Sequence, residues 1–153
     1  LTTLAKQTRP ITPQDWKDIE QKLKSFYRKV VLVCDGYELT LILERYNQYR
    51  NVISFYVNGV IEGKWHIEDC EERRRFFSPK TKSIYSPKEM AKFKKISKKM
   101  WKELAAKNKY TYYQAHWSSF RALKSHLVKN NNVIELVCEN TEKGLDADGE
   151  DQD

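Results

Sequence analysis

Lys29-Val-Val-Leu-Val-Cys-Asp-Gly-Tyr-Glu-Leu-Thr-Leu-Ile-Leu-Glu-Arg-Tyr46 reads as two strands and a turn. Lys29–Cys34 and Tyr37–Tyr46 are rich in β-branched and aliphatic residues, and Asp35-Gly36 between them is a strong two-residue hairpin signal. Leu39, Leu41 and Leu43 alternate with Thr40, Ile42 and Glu44, which places one face of the second strand on a core. Downstream, Asn47–Asn51 is a polar turn and Val52–Val57 a third strand. Asn58-Gly59 then predicts another tight turn into a fourth, Val60–Trp65. Connections this short impose antiparallel pairing, because parallel strands need long crossovers. The expectation is a four-stranded antiparallel meander.

Helical periods flank it. Thr12-Pro13-Gln14-Asp15 is a helix start, and Trp16, Ile19, Leu23 and Phe26 carry one apolar stripe to about Tyr27. After the strands, His66–Phe77 predicts a helix ending in Arg73-Arg74-Arg75, cations favourable at a helix C-terminus. Ser78–Tyr85 reads as a basic loop. Ser86-Pro87-Lys88-Glu89 is a capping box opening a Lys-rich helix with Met90, Phe93, Ile96, Met100 and Leu104 on its apolar side. Asn108–Gln114 interrupts it. Trp117, Phe120, Leu123 and Leu127 mark a last helix, and Val133–Cys138 a short final strand. The fold class is therefore α+β: the meander, an N-terminal helix, C-terminal helices and a final strand. Residues 1–10 read as a flexible lead-in, 11–138 as one domain, and 139–153 as a disordered acidic tail with little to bury.

Charge is strongly polarised along the chain. Between Arg73 and Lys129 seventeen Lys and Arg face only Glu89 and Glu103, a net +15, whereas Glu139–Asp153 carries −6. A dense basic surface attracts polyanions, and a tethered acidic segment competes for it. No apolar run approaches the length of a membrane span. Three dispersed cysteines (Cys34, Cys70, Cys138) favour reduced thiols, and with them a cytoplasmic setting.

The candidate site is a nucleic-acid surface. Lys92, Lys95, Lys99 and Lys102 recur at helical spacing, Lys98 broadens that face, and like charges so close destabilise an isolated helix unless an external anion answers them. Arg73, Arg74 and Arg75 offer guanidinium forks for phosphate, although Glu68, Asp69, Glu71 and Glu72 stand ready to neutralise some of them. Lys80 and Lys82 extend the patch, and Arg121 and Lys124 join from the last helix. In Tyr110-Thr111-Tyr112-Tyr113 two adjacent tyrosines cannot easily both face inward, so Tyr112 or Tyr113 is left to stack on bases.

Catalytic and metal motifs are thin. His66-x-x-x-Cys70 has helix-face spacing but no second pair to complete a tetrahedral site. Asp35 with Glu62-Gly63-Lys64 is similar to the carboxylate and lysine set of Mg²⁺-dependent nucleases, though Asp35 already has a role in its turn. The sequence asks for no cofactor or metal, and its reading leans away from an enzyme.

Four segments carry a resemblance: Val33–Leu41, Tyr56–Trp65, Asp69–Phe77 and Trp117–Asn130. Across roughly Pro10–Val137 the chain resembles a family of small proteins encoded by bacteriophages and prophages of Gram-negative bacteria. The resemblance implies a phage accessory protein acting on nucleic acid, on host machinery or against a host defence complex. It supplies no active-site residues and excludes the acidic tail. The leading expectation is thus a non-enzymatic protein binding DNA or RNA, with an inhibitor or adaptor of a host protein as the alternative and a metal-dependent nuclease behind both.

Overall fold

Two sheets and six helices make up the structure, a computed structural model that describes residues 7–138. The strands are β1 (Thr8–Pro10), β2 (Val30–Cys34), β3 (Tyr37–Asn47), β4 (Arg50–Val57), β5 (Ser78–Ser83), β6 (Lys109–Gln114), β7 (His116–Trp117) and β8 (Ile134–Val137). The helices are α1 (Pro13–Lys22), α2 (Lys64–Ile67), α3 (Glu71–Phe76), α4 (Pro87–Ile96), α5 (Lys98–Ala106) and α6 (Phe120–Asn130). A six-stranded antiparallel sheet has the order β1-β8-β2-β3-β4-β7, and β5 and β6 form a separate ribbon. The α+β architecture is the one the sequence implies. The expected lead-in at 1–6 and the acidic tail at 139–153 lie outside the described residues.

The β2–β3 hairpin turns at Asp35 and Gly36, both at positive φ (48° and 93°), and pairs Cys34 with Tyr37. Leu32, Cys34, Leu39, Leu41, Phe55 and Val57 line the buried side of the sheet. Onto that side pack Trp16, Ile19 and Leu23 of and just beyond α1, and Leu123 and Leu127 of α6. Thr12 caps α1 in the expected box with Asp15, but the helix stops at Lys22, not near Tyr27. Tyr27 instead takes a positive φ of 66° and turns the chain into β2.

Three further expectations are corrected. Val60–Trp65 is not a fourth strand: Val60 makes one isolated bridge to Val57, and Trp65 is buried from the short helix α2. The outer edge of β4 goes to β7, with Ile53 opposite Trp117 and Ser54 opposite His116. Secondly, the helix expected over 66–77 breaks at Glu68, whose ψ of 143° is extended. The second piece ends between two phenylalanines. Phe76 is helical and Phe77 extended, so adjacent rings both reach the core. Phe55 meets Phe77 edge-on at 5.3 Å, and the Trp117 indole N–H donates to the Phe76 carbonyl at 3.0 Å. Finally, Thr8–Pro10 of the expected lead-in is a paired strand beside β8, so β8 lies inside the sheet. Arg9 ties it down through two bonds to Asp15, at 2.6 and 2.7 Å.

Candidate nucleic-acid interface

Ser78–Ser83 and Asn108–Gln114, expected as loop and interruption, form the ribbon β5–β6, with α4 and α5 inserted at its far end. Six residue pairs run from Ser78 opposite Gln114 to Ser83 opposite Lys109. An isolated two-stranded ribbon is marginal in water, so the helical tip must add packing. At the junction the Asn108 side chain accepts from the Tyr85 N–H at 2.7 Å, and its amide donates back to the Tyr85 carbonyl. The Tyr85 and Phe93 rings meet edge-on at 4.9 Å, and Lys94 lies 5.0 Å over the Trp101 ring.

The Lys-rich helix is two helices. Ser97 is extended (φ −157°, ψ 122°), and its hydroxyl caps α5 by accepting from the Met100 N–H. Lys92 and Lys95 therefore ride on α4, and Lys98, Lys99 and Lys102 on α5, all exposed, but they do not share one helical face. Lys98 and Lys99 occupy the first turn of α5, where the helix dipole disfavours cations.

Charge concentrates on this arm. Residues 78–114 hold eleven lysines against Glu89 and Glu103, a net +9; the remaining described residues hold fifteen cations and twelve carboxylates, a net +3. The basic character belongs to the projection, not to the body.

Cross-strand pairing gives the ribbon two unlike faces. Lys80 is opposite Tyr112 and Lys82 opposite Tyr110, so these four side chains share one face. Both tyrosines are exposed, with ring centroids 6.3 Å apart. Tyr113 pairs with Pro79 on the other face, half-buried, with the Arg73 guanidinium 4.0 Å from its ring centre. Of the two adjacent tyrosines, Tyr112 is thus the exposed one. Tyr110 joins Tyr112 on this face although the sequence points only to Tyr112 or Tyr113; its alternation with Tyr112 in Lys109-Tyr-Thr-Tyr is the signal for it.

The three arginines are largely spent internally. Arg73 stacks on Tyr113, Arg74 pairs with Asp69 at 2.9 Å, and Arg75 is held by Asp35, Glu71 and Asn131. Only Arg74 is well exposed. Lys124 lies 5.5 Å over the Trp16 ring of α1, and Arg121 sits on the turn before it. Neither shares the face of α6 that looks toward the ribbon. That face carries Ala122, Ser125, His126 and Lys129, which with Ser78, Pro79, Lys80, Trp117, Ser118 and Ser119 line a groove of about 450 Å³. In the sequence Lys129 counts only toward the basic stretch and not as a site residue, because only the packing of α6 brings it with Lys80 into one groove.

Two histidines border this region. His126 Nε2 lies 3.0 Å from the Arg74 carbonyl, so that nitrogen carries the proton, and burial pushes its pKa down. His116 stands 5.1 Å from the Tyr46 ring, and burial, with Arg50 and Lys80 nearby, also lowers its pKa. Both shifts favour the neutral imidazole.

The nuclease-like residues are otherwise engaged. Asp35 accepts from Arg75 and from the Asn132 and Val133 N–H groups, while Glu62 pairs with Lys64 at 3.4 Å. The helix break separates His66 in α2 from Cys70 at the cap of α3. Among the described residues no three His, Cys, Asp or Glu gather as metal ligands, and no helix is long and apolar enough to cross a membrane. All three cysteines are free, and burial pushes the Cys34 thiol up to about 12.

Compared with protein-family models, curated protein sequences and solved structures, the chain matches none.

Proposed function

We propose that this protein binds nucleic acid through the β5–β6 arm, without catalysing a reaction on it. One observation carries the reading: Lys80, Lys82, Tyr110 and Tyr112 share one exposed ribbon face on an arm of net charge +9. Cations contact phosphates and fix affinity, while phenol rings offer stacking surfaces to bases. Neither reads a base edge, so binding is salt-sensitive and weakly selective for sequence. The likeness to small phage-encoded proteins makes an accessory role during infection the natural setting. The test is fluorescence anisotropy of the full chain with labelled oligonucleotides in low salt. Reversing Lys80 and Lys82 to Glu removes most of the affinity; unchanged binding would refute the reading.

A second reading has its own observation. Ile84 and Ile96 at the arm tip are 53% and 73% exposed, and α4 and α5 bury no residue fully. Such a tip suits a protein partner, as an inhibitor or adaptor of host machinery would need. A stoichiometric host protein retained on the chain after nuclease digestion, and lost in Ile96→Asp, supports this alternative.

A further inference from the structure

We infer that the ligand is single-stranded, and that its path runs from Tyr110 and Tyr112 across Lys80 into the groove along α6, where Lys129 holds the backbone. This rests on the nucleic-acid reading above and narrows it to a substrate class.

Three observations converge. The stacking surface comes first. Stacked bases in a duplex lie about 3.4 Å apart and present no free faces, whereas the two exposed phenols sit 6.3 Å apart on the ribbon. Engaging both rings requires neighbouring bases to separate, which a single strand does without unpairing.

Continuity comes second. Lys80 belongs both to the tyrosine face, opposite Tyr112, and to the groove lining. The ribbon face thus leads directly into the recess between β5 and α6.

The groove itself is the third. Its 450 Å³ accommodates a segment of nucleotide size and not a duplex. Trp117 and Ala122 are among its lining, with hydroxyls of Ser118, Ser119 and Ser125 as donors and Lys80 and Lys129 as cations. Ser118 and Lys129 are eleven residues apart along α6 and the turn before it, roughly 16 Å at helical rise. Three hydroxyls and Lys129 along that length, with Lys80 of β5 also in the lining, match a phosphodiester backbone. The lining offers no acidic side chain to repel one.

The experiment compares the full chain binding fluorescein-labelled single strands of about four, eight and twelve nucleotides with a blunt duplex of about twelve base pairs. Single strands should bind at least about tenfold tighter than the duplex, with affinity rising between four and eight nucleotides. Lys129→Gln should lower the salt slope for single strands by about 0.7. Lys17→Gln, an equal charge change on exposed α1, should leave binding to the strands alone. A duplex binding as well as the strands overturns the inference and leaves the nucleic-acid reading standing. Lys129→Gln behaving like Lys17→Gln overturns the path through the groove. Failure of strands and duplex alike to bind in low salt removes both readings together.

Discussion

Arg75 of α3 meets Asp35 of the β2–β3 turn at 2.5 Å, joining residues forty apart in sequence. The same carboxylate accepts from the N–H groups of Asn132 and Val133, each at 2.8 Å, and the same guanidinium reaches Asn131 and Glu71. One ion pair therefore fastens the hairpin turn, the helix under the aromatic core and the chain between α6 and β8. A sequence motif suited to metal chemistry is here a clasp.

Breaking the clasp should loosen the fold and leave the arm intact. Asp35→Ala leaves Arg75 to Glu71 and Asn131 and leaves two backbone donors without their acceptor, and should lower the thermal midpoint by on the order of 5 °C. Oligonucleotide affinity, measured well below that midpoint, should stay within about twofold, because no clasp residue lies on the ribbon face.

Below pH 4, acid should act on two carboxylates. Hydrogen bonds from Arg9 hold the Asp15 pKa at about 2, and hydrogen bonds from the Asn132 backbone and Arg75 lower that of Asp35. Both folded values lie below the unfolded ones. Their stabilisation is therefore complete above the unfolded pKa, roughly pH 4, and is lost as pH falls toward the folded values. Melting points followed from pH 7 to pH 2 by circular dichroism should begin to fall below about pH 6.5, where His116 and His126 take up protons more readily in the unfolded chain, and fall again below pH 4. Asp15→Asn should melt lower at pH 7 and drop less steeply.

Stacking and packing tyrosines should separate cleanly. Tyr110→Ala with Tyr112→Ala should weaken single-strand binding by at least about 30-fold, from about 1–3 kcal/mol for each of two stacked bases, with little change in melting temperature. Tyr113→Ala should instead lower the melting temperature, since it removes the ring against which Arg73 lies. The reverse pattern would show the ribbon faces to be assigned the wrong way round.

Removing the acidic tail tests competition by charge. A chain ending at Cys138 loses a net −6, so it should bind oligonucleotides several-fold tighter in low salt. The gain should vanish as salt rises, because screening removes the tail's influence along with the ligand's attraction. Equal affinities in low salt would mean that the tail does not compete.

The parts of the fold that face the core were legible in the sequence. Asp35-Gly36, the Thr12 and Ser86 caps and the leucine alternation of β3 all report local geometry or one buried face, and all are present. The ribbon was not legible, for a physical reason. Ser78–Ser83 is exposed along nearly its whole length, so no alternation of apolar and polar residues marks it as a strand. Its partner lies beyond two helices, and only pairing across that distance reveals either strand. The candidate site suffered similarly. Its lysines were visible as charge, but which of them share a face depends on the break at Ser97 and on the orientation of α6.

Ser78 and Gln114 are direct partners at the base of the ribbon, so the chain leaves the body and returns to it at nearly one point. Everything between them is, topologically, a cartridge. No strand of the main sheet lies between them, so closing the gap with a short turn should leave that sheet paired as before. The main sheet and the arm are thus separate stretches of one chain, and on the nucleic-acid reading the ligand surface could be exchanged without touching a strand of that sheet.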